Sequence, residues 1–390
     1  MKRILLISSE FPPGPGGIGT HAYQLAKALV QHQYEVHVLS PQDYADESEI
    51  QAFNARLNFH ITSLPKTPFK TWQSIERLIH IQRTLHQFNP DLIIASGGRA
   101  IWLSALFLRT RTIPCVVVGH GTEFGSRDGL GTKLTQFATN QASAVICVSH
   151  YTKKSLQALG VNKPPIHVIH NGADHTQFYP LPPAEVAGLR DNEGGKNALV
   201  LLTVGKVSDR KGQEVVIRAL PIITGAVPTV QYWMAGLPQE QTKLEALAEQ
   251  LGVRENIRFF GRVSQETLRK LYNACDIFVM TSRQLADGDF EGYGIAVIEA
   301  ALSGKTAIVS DNSGLAEAVQ DGVTGLLVPQ KDPTRTAQAI LKLAEDSDLR
   351  QQLAQQAYQN AVTHQTWEKV GIRYIEVLEE VFAEINHTQP

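Results

Sequence analysis

The sequence predicts an α/β protein of two doubly wound domains, each a parallel sheet covered by helices on both faces. Three observations carry this. Apolar, β-branched runs of strand length alternate with amphipathic segments of helical period along the whole chain. The strand runs are apolar throughout instead of alternating, as in strands buried on both faces. The pattern then restarts after Leu181 to Ala198, a stretch rich in Pro, Gly and charge that reads as a linker. A chain of 390 residues is long enough for two such domains.

In the first domain RILLISS is a buried strand, and HAYQLAKALVQHQ follows as a helix. EVHVLS, LNFHITSL, DLIIAS, CVVVGH, AVICVS and IHVIHN are the further strands. Helices such as SIERLIHIQRTLHQF and AIWLSALFLRTR lie between them. A second unit runs from about Asn197 to His364. Its strands are ALVLLTVG, VQYWMAG, IRFFG, DIFVM, TAIVSD and GLLVP, with helices such as EVVIRALPIIT, QTKLEALAEQLG and SQETLRKLYNA. The chain closes on an amphipathic helix, TWEKVGIRYIEVLEEVFAEI. The expected domains are 1–180 and 197–367, with the last helix at about 368–390. Ligands of open α/β sheets bind beyond the carboxyl ends of the strands, so a shared crevice is expected there.

Composition narrows the function. A formal net charge of -2 argues against nucleic acid as the main partner. Cys115, Cys147 and Cys275 sit singly in apolar runs, which fits neither a disulfide framework nor a zinc site. Reduced core thiols suit the cytoplasm. The start, MKRILLISSEFPP, lacks a full apolar core and cleavage site, so it reads as a strand rather than a signal peptide. No run is apolar enough to span a bilayer, which leaves open a peripheral contact with the membrane's inner face.

Three motifs carry chemistry. Gly14, Gly16 and Gly19 formally match a dinucleotide-binding fingerprint. A dehydrogenase needs an acidic residue at the end of the next strand, and that strand ends in Ser40, Pro41 and Gln42. What survives is physical: Gly16 and Gly17 let backbone N–H groups approach an anion at a helix start. Lys206, Arg210 and Lys211 follow the second unit's first strand, placed to stabilise negative charge on a diphosphate. A single loop lysine is ordinarily only solvated; three cations on one connection are a pattern. Finally, DFEGYGIAVIEAALSG places Glu291 in a loop with Gly292, Tyr293 and Gly294, and Glu299 one turn beyond Ile295 on a helix. Amides of Gly294 and Ile295 would face a phosphate. Two carboxylates can also be a glycosidase acid and base, but a phosphate-type helix start beside them argues for a transferase. His120 ends a strand at the crevice edge, where a lone histidine is often structural.

With these residues in view, the chain resembles the family-4 retaining glycosyltransferases of GT-B fold, two Rossmann-like domains. The matching pieces are GGIGTH, VGHGTE, CVSHYTKKSL, VIHNGADHTQFYP, VGKVSDRKG, FFGRVS, EGYGIAVIEA and DGVTGLLVPQKDP, in the family's order over nearly the whole chain. The insert TSRQLADGDFEGYG is similar to the phosphatidylinositol mannosyltransferase branch. The resemblance implies a nucleotide diphosphate sugar donor, of GDP-mannose or UDP-glucose type, and a lipid, glycan or small-molecule hydroxyl acceptor. It implies no cofactor and no metal. Lys206 and Lys211 would hold the diphosphate, Glu291 the donor sugar, Glu299 the ribose and Val263 the base. Gly16 and Gly17 would lie near the phosphates and acceptor, and His120 near the reacting sugar carbon. The terminal helix would return to the first domain. Lys206 stands where the family usually has arginine, which keeps the charge but loses the bidentate fork. Lys305 and Ala316 replace common prolines. A nucleotide-sugar epimerase and a non-catalytic nucleotide-sugar binding protein are the alternatives. Phe69, Trp72, Trp102, Arg109 and Arg111 are aromatic and basic material for an acceptor.

Overall fold

The computed structural model describes residues 1–43, 45–65, 70–108, 113–125 and 129–388. They form two compact units: residues 1–171 with 367–390, and residues 172–366.

The first unit holds a seven-stranded parallel sheet. Its strands are β1 (Arg3–Ser8), β2 (Glu35–Ser40), β3 (His60–Ser63), β4 (Leu92–Ser96), β5 (Cys115–Gly119), β6 (Ala144–Cys147) and β7 (Ile166–Val168). Their order is β3-β2-β1-β4-β5-β6-β7. Along β1, Ile4 and Leu6 enter one apolar cluster while Leu5 and Ile7 enter another on the opposite face. This double burial is why the strand reads as an unbroken apolar run.

The second unit holds a six-stranded parallel sheet. It comprises β8 (Val200–Val204), β9 (Gln231–Ala235), β10 (Ile257–Gly261), β11 (Ile277–Met280), β12 (Ala307–Ser310) and β13 (Gly325–Val328). The order is β10-β9-β8-β11-β12-β13. In each sheet the winding reverses once, between β1 and β4 and between β8 and β11. Crossover helices leave in opposite directions there, so the backbone opens a crevice at the carboxyl ends of those strands.

The segment from Leu181 to Ala198 is not the linker its composition suggested. It contains a helix, Pro183–Asn192, with Pro at its first position, where a missing N–H costs nothing. The anchor is polar. Arg190 donates to the carbonyls of Gly195, Ala198 and Ala274 and pairs with Asp276 at 3.2 Å. Asp276 also accepts from the N–H of Val200, the first residue of β8, at 2.8 Å. The terminal helix, Trp367–Thr388, packs on the first unit, where Tyr374 hydrogen-bonds His21 at 2.8 Å. No described helix is long and apolar enough to cross a membrane. The three cysteines are free and buried.

Asp276→Ala strips a partly buried guanidinium of its counter-charge and orphans the Val200 N–H. We expect a loss of about 2–3 kcal/mol, read as a lower urea midpoint at unchanged slope.

Candidate active site

The second unit's site is assembled by two connections that leave the carboxyl ends of neighbouring strands. The chain after β8 makes a 3-10 turn, Asp209–Lys211, then Gly212, then the helix Gln213–Ala226. Gly212 has φ 70, a left-handed conformation that side chains resist. A Cβ there would also run into the carbonyl of Thr281, the residue after β11. Thr281 Oγ1 donates to the Gly212 carbonyl at 2.7 Å. The Arg283 N–H donates to the Arg210 carbonyl at 2.8 Å, and the Arg283 guanidinium holds Asp209. The basic turn is thus bolted to the loop that carries the acidic residues.

Those contacts bring three charged side chains together. Glu291 Oε2 lies 2.7 Å from Lys211 Nζ and 2.5 Å from Arg210 Nη1. The side chains of Lys211 and Glu291 are only 12% and 13% exposed, so the pair is shielded from screening water. Burial pushes the Glu291 carboxyl up, but Lys211 and Arg210 outweigh it and hold the pKa at about 2. Burial pulls the Lys211 ammonium down, and Glu291 opposes that pull. Asp289, which sequence reasoning missed, pairs with the opposite edge of Arg210: its Oδ2 is 3.3 Å from Nε.

Gly294 caps the helix Ile295–Leu302 with φ 87, and no side chain caps that end. The Val297 N–H is taken by the Gly294 carbonyl at 3.0 Å, which leaves the amides of Gly294 and Ile295 to meet an anion. Glu299 lies on this helix and accepts from Tyr272 Oη at 2.6 Å. Burial raises its pKa to about 7, against the Tyr272 hydrogen bond and the field of Lys211. Tyr293 is buried at 1% exposure, and its hydroxyl is hydrogen-bonded to Gln365 at 2.7 Å. Its ring is therefore a strut beneath the loop, and only backbone at Gly292 and Tyr293 remains to meet a ligand. Lys206 is exposed and makes no ion pair among the described residues. Val263 follows β10, half-buried.

Three predicted residues lie in the first unit. Gly16 is the N-cap of the helix Gly17–Gln31 and has no side chain to cap it, and the Glu10 carboxylate lies against it. His120 follows β5, hydrogen-bonded through Nε2 to Ser96 at 2.9 Å, and its N–H donates to Glu123 at 2.6 Å. Burial lowers its pKa to about 4, so the ring is neutral at pH 7. Its edge-to-face neighbour, 4.8 Å away between centroids, is His21. Among the acceptor-side candidates, Trp102 is 40% exposed and donates to Thr135. Phe69, Arg109 and Arg111, and the side chain of Trp72, lie outside the described residues.

Comparison with known proteins settles the family. Residues 15–177 match the family described as Glycosyltransferase Family 4, and residues 189–360 match Glycosyl transferases group 1. The chain belongs to the family-4 GT-B glycosyltransferases. It is 27% identical to an uncharacterised glycosyltransferase of Methanocaldococcus jannaschii, over 96% of this chain and 97% of that one. It is 26% identical to a GDP-mannose-dependent alpha-(1-6)-phosphatidylinositol monomannoside mannosyltransferase of Mycolicibacterium smegmatis, over 96% and 98%. In fold this glycosyltransferase is similar to Anabaena HepE, solved with UDP and glucose. The TM-score is 0.83 at 22% identity, covering 97% of this chain and 100% of that one. It is equally similar to the sucrose-phosphate synthase of Thermosynechococcus elongatus, with TM-score 0.83, 19% identity and coverage of 98% and 100%.

Glu299 gives this glycosyltransferase a pH signature. A carboxyl whose folded pKa is about 7 keeps a proton that the unfolded chain releases near 4.5. Stability contributed by this group therefore falls as pH rises through that window. Glu299→Gln should remove a decline on the order of 2–3 kcal/mol. Urea unfolding of both proteins at pH 5 and pH 7.5 measures it.

Proposed function

We propose that this glycosyltransferase moves a hexosyl group from a nucleoside diphosphate sugar to a hydroxyl acceptor, with retention of anomeric configuration and without a metal ion. One observation carries the reading: Lys211, Arg210 and Glu291 converge in a shielded site on the loop that leads into an uncapped helix start. Cations paired with Glu291, three residues before the glycine that starts the helix, suit a diphosphate. Carboxylates beside them suit hydroxyls. Glu291 would take the donor sugar, and Glu299 the ribose, for which its ionised form offers both oxygens as acceptors to two hydroxyl donors. The amides of Gly294 and Ile295 would meet the phosphate, Val263 the base, and Lys206 would add a third cation. The named donors of relatives support GDP-mannose or a UDP-sugar.

Lysine, arginine and helix amides supply the positive charge that a leaving diphosphate requires. One oxygen of each nearby carboxylate, Glu291 Oε2 and Asp289 Oδ2, is already paired with those same cations, which weighs against a divalent ion at this point. The protein supplies no covalent nucleophile in this scheme. The departing phosphate accepts the acceptor's proton on the same face of the sugar, and the protein contributes position and charge. Neutral His120, with Gly16 and Gly17, is assigned to the reacting carbon and the acceptor. The resemblance to lipid mannosyltransferases favours an acceptor of lipid or glycan type, with the enzyme working in the cytoplasm, in peripheral contact with the inner face of the membrane.

A thermal-shift screen of nucleoside diphosphate sugars identifies the donor; turnover then tests the roles. Lys211→Ala should lower turnover about 10²–10³-fold while the protein remains folded. Turnover of Lys211→Ala close to the parent's removes the leaving-group assignment. Turnover should be unchanged in excess EDTA, and its loss there, restored by manganese or magnesium, refutes the metal-free reading.

A further inference from the structure

The donor reading gives Lys211 and Arg210 to a diphosphate and Glu291 to a sugar. In the structure these three groups face one another. One carboxylate oxygen of Glu291 contacts both Lys211 Nζ, at 2.7 Å, and Arg210 Nη1, at 2.5 Å. Asp289 holds the Nε edge of the same guanidinium at 3.3 Å. With both carboxylates ionised, two cations are balanced by two anions before any ligand arrives. A diphosphate oxygen seeking Nζ and Nη1 finds an acceptor already there, at low exposure, where like charges repel strongly.

We propose that Glu291 makes the site select the intact sugar nucleotide over the bare nucleoside diphosphate. Glu291 occupies Lys211 and Arg210 in the empty site, and releases them only when sugar hydroxyls offer it other donors. The inference rests on the donor reading above. Its chemistry is an exchange of hydrogen bonds with no covalent step. Sugar O–H groups donate to Glu291, which turns from the cations, and the cations turn to the diphosphate. Once the sugar has been transferred, Glu291 has no hydroxyls to accept from. It returns to Lys211 and Arg210 and competes with the spent nucleotide for them, which favours product release.

Asp289 is the positioning residue of this exchange. It keeps the Nε edge of Arg210 engaged when Glu291 leaves Nη1, so the fork stays aimed at the phosphate instead of swinging into solvent. The backbone cooperates, because the Arg210 carbonyl is held by the Arg283 N–H at 2.8 Å. Lys206, exposed and without an ion pair among the described residues, is outside the exchange and meets phosphate in either state.

The test is calorimetric titration at fixed ionic strength with UDP, GDP, UDP-glucose and GDP-mannose, on the parent protein and on Glu291→Gln and Asp289→Asn. The parent should bind the matching sugar nucleotide about tenfold or more tighter than its diphosphate. Glu291→Gln, which keeps the shape and removes the charge, should bind the bare diphosphate about tenfold tighter than the parent does, collapsing that preference. Asp289→Asn should weaken both ligands alike and preserve the ratio. Equal affinity of the parent for sugar nucleotide and diphosphate overturns the inference even if Glu291→Gln does not fold. So does a folded Glu291→Gln that binds the diphosphate no tighter than the parent, although the donor reading then stands. Failure of every nucleotide to bind the parent overturns the donor reading, and the inference with it.

Discussion

The ion pair between Lys211 and Glu291 is the contact on which the rest of the site depends. The two residues are 80 positions apart in sequence. They meet because β8 and β11 lie side by side in a parallel sheet at the place where its winding reverses. Parallel pairing puts both carboxyl ends on one edge, and the reversal leaves that edge uncovered by a crossover helix. A hydrophobic requirement, strands buried on both faces, thus decides where charge can gather.

Close approach of the two connections is then a matter of backbone. Gly212 adopts a left-handed conformation against the Thr281 carbonyl, and Gly294 is left-handed too at the start of the helix that carries Glu299. Neither position has room or dihedral freedom for a Cβ. Around them Arg283 ties the basic turn to the acidic loop, and Tyr293 props the loop from below. Charges held this way need little reorganisation when a ligand's own charge develops, which is how a static arrangement of side chains lowers a barrier.

The electrostatics follow from burial and pairing together. Glu291 and Glu299 are eight residues apart on one short segment, yet their pKa values move in opposite directions. Glu291 faces two cations that overcome its desolvation. Glu299 faces a neutral phenol and the more distant field of Lys211, and desolvation prevails. Residue type gives no hint of this divergence, because both are glutamates flanked by apolar and glycine residues. Asp289 was equally hidden. In the string DGDFEG it is one acidic residue of three, and only its distance from Arg210 separates it from its neighbours. His21 and Tyr272 were read as helix residues, since their partners, His120 and Tyr374 for one and Glu299 for the other, come from other elements.

By itself the sequence determined the local and periodic features. These were the apolar runs that become strands, the helical periods between them, and the glycines that end one element and start another. It determined the family too, because the motifs carrying charge and glycine are short and contiguous. What looked like a linker from Leu181 to Ala198 holds a helix, Pro183–Asn192, anchored through Arg190 to Asp276, a partner that no local window contains. Tertiary structure alone decided which cation meets which carboxylate and how far each carboxyl is moved from its ordinary pKa. Those properties depend on distance and on exclusion of water, and both are set by strand pairing between segments far apart in the chain.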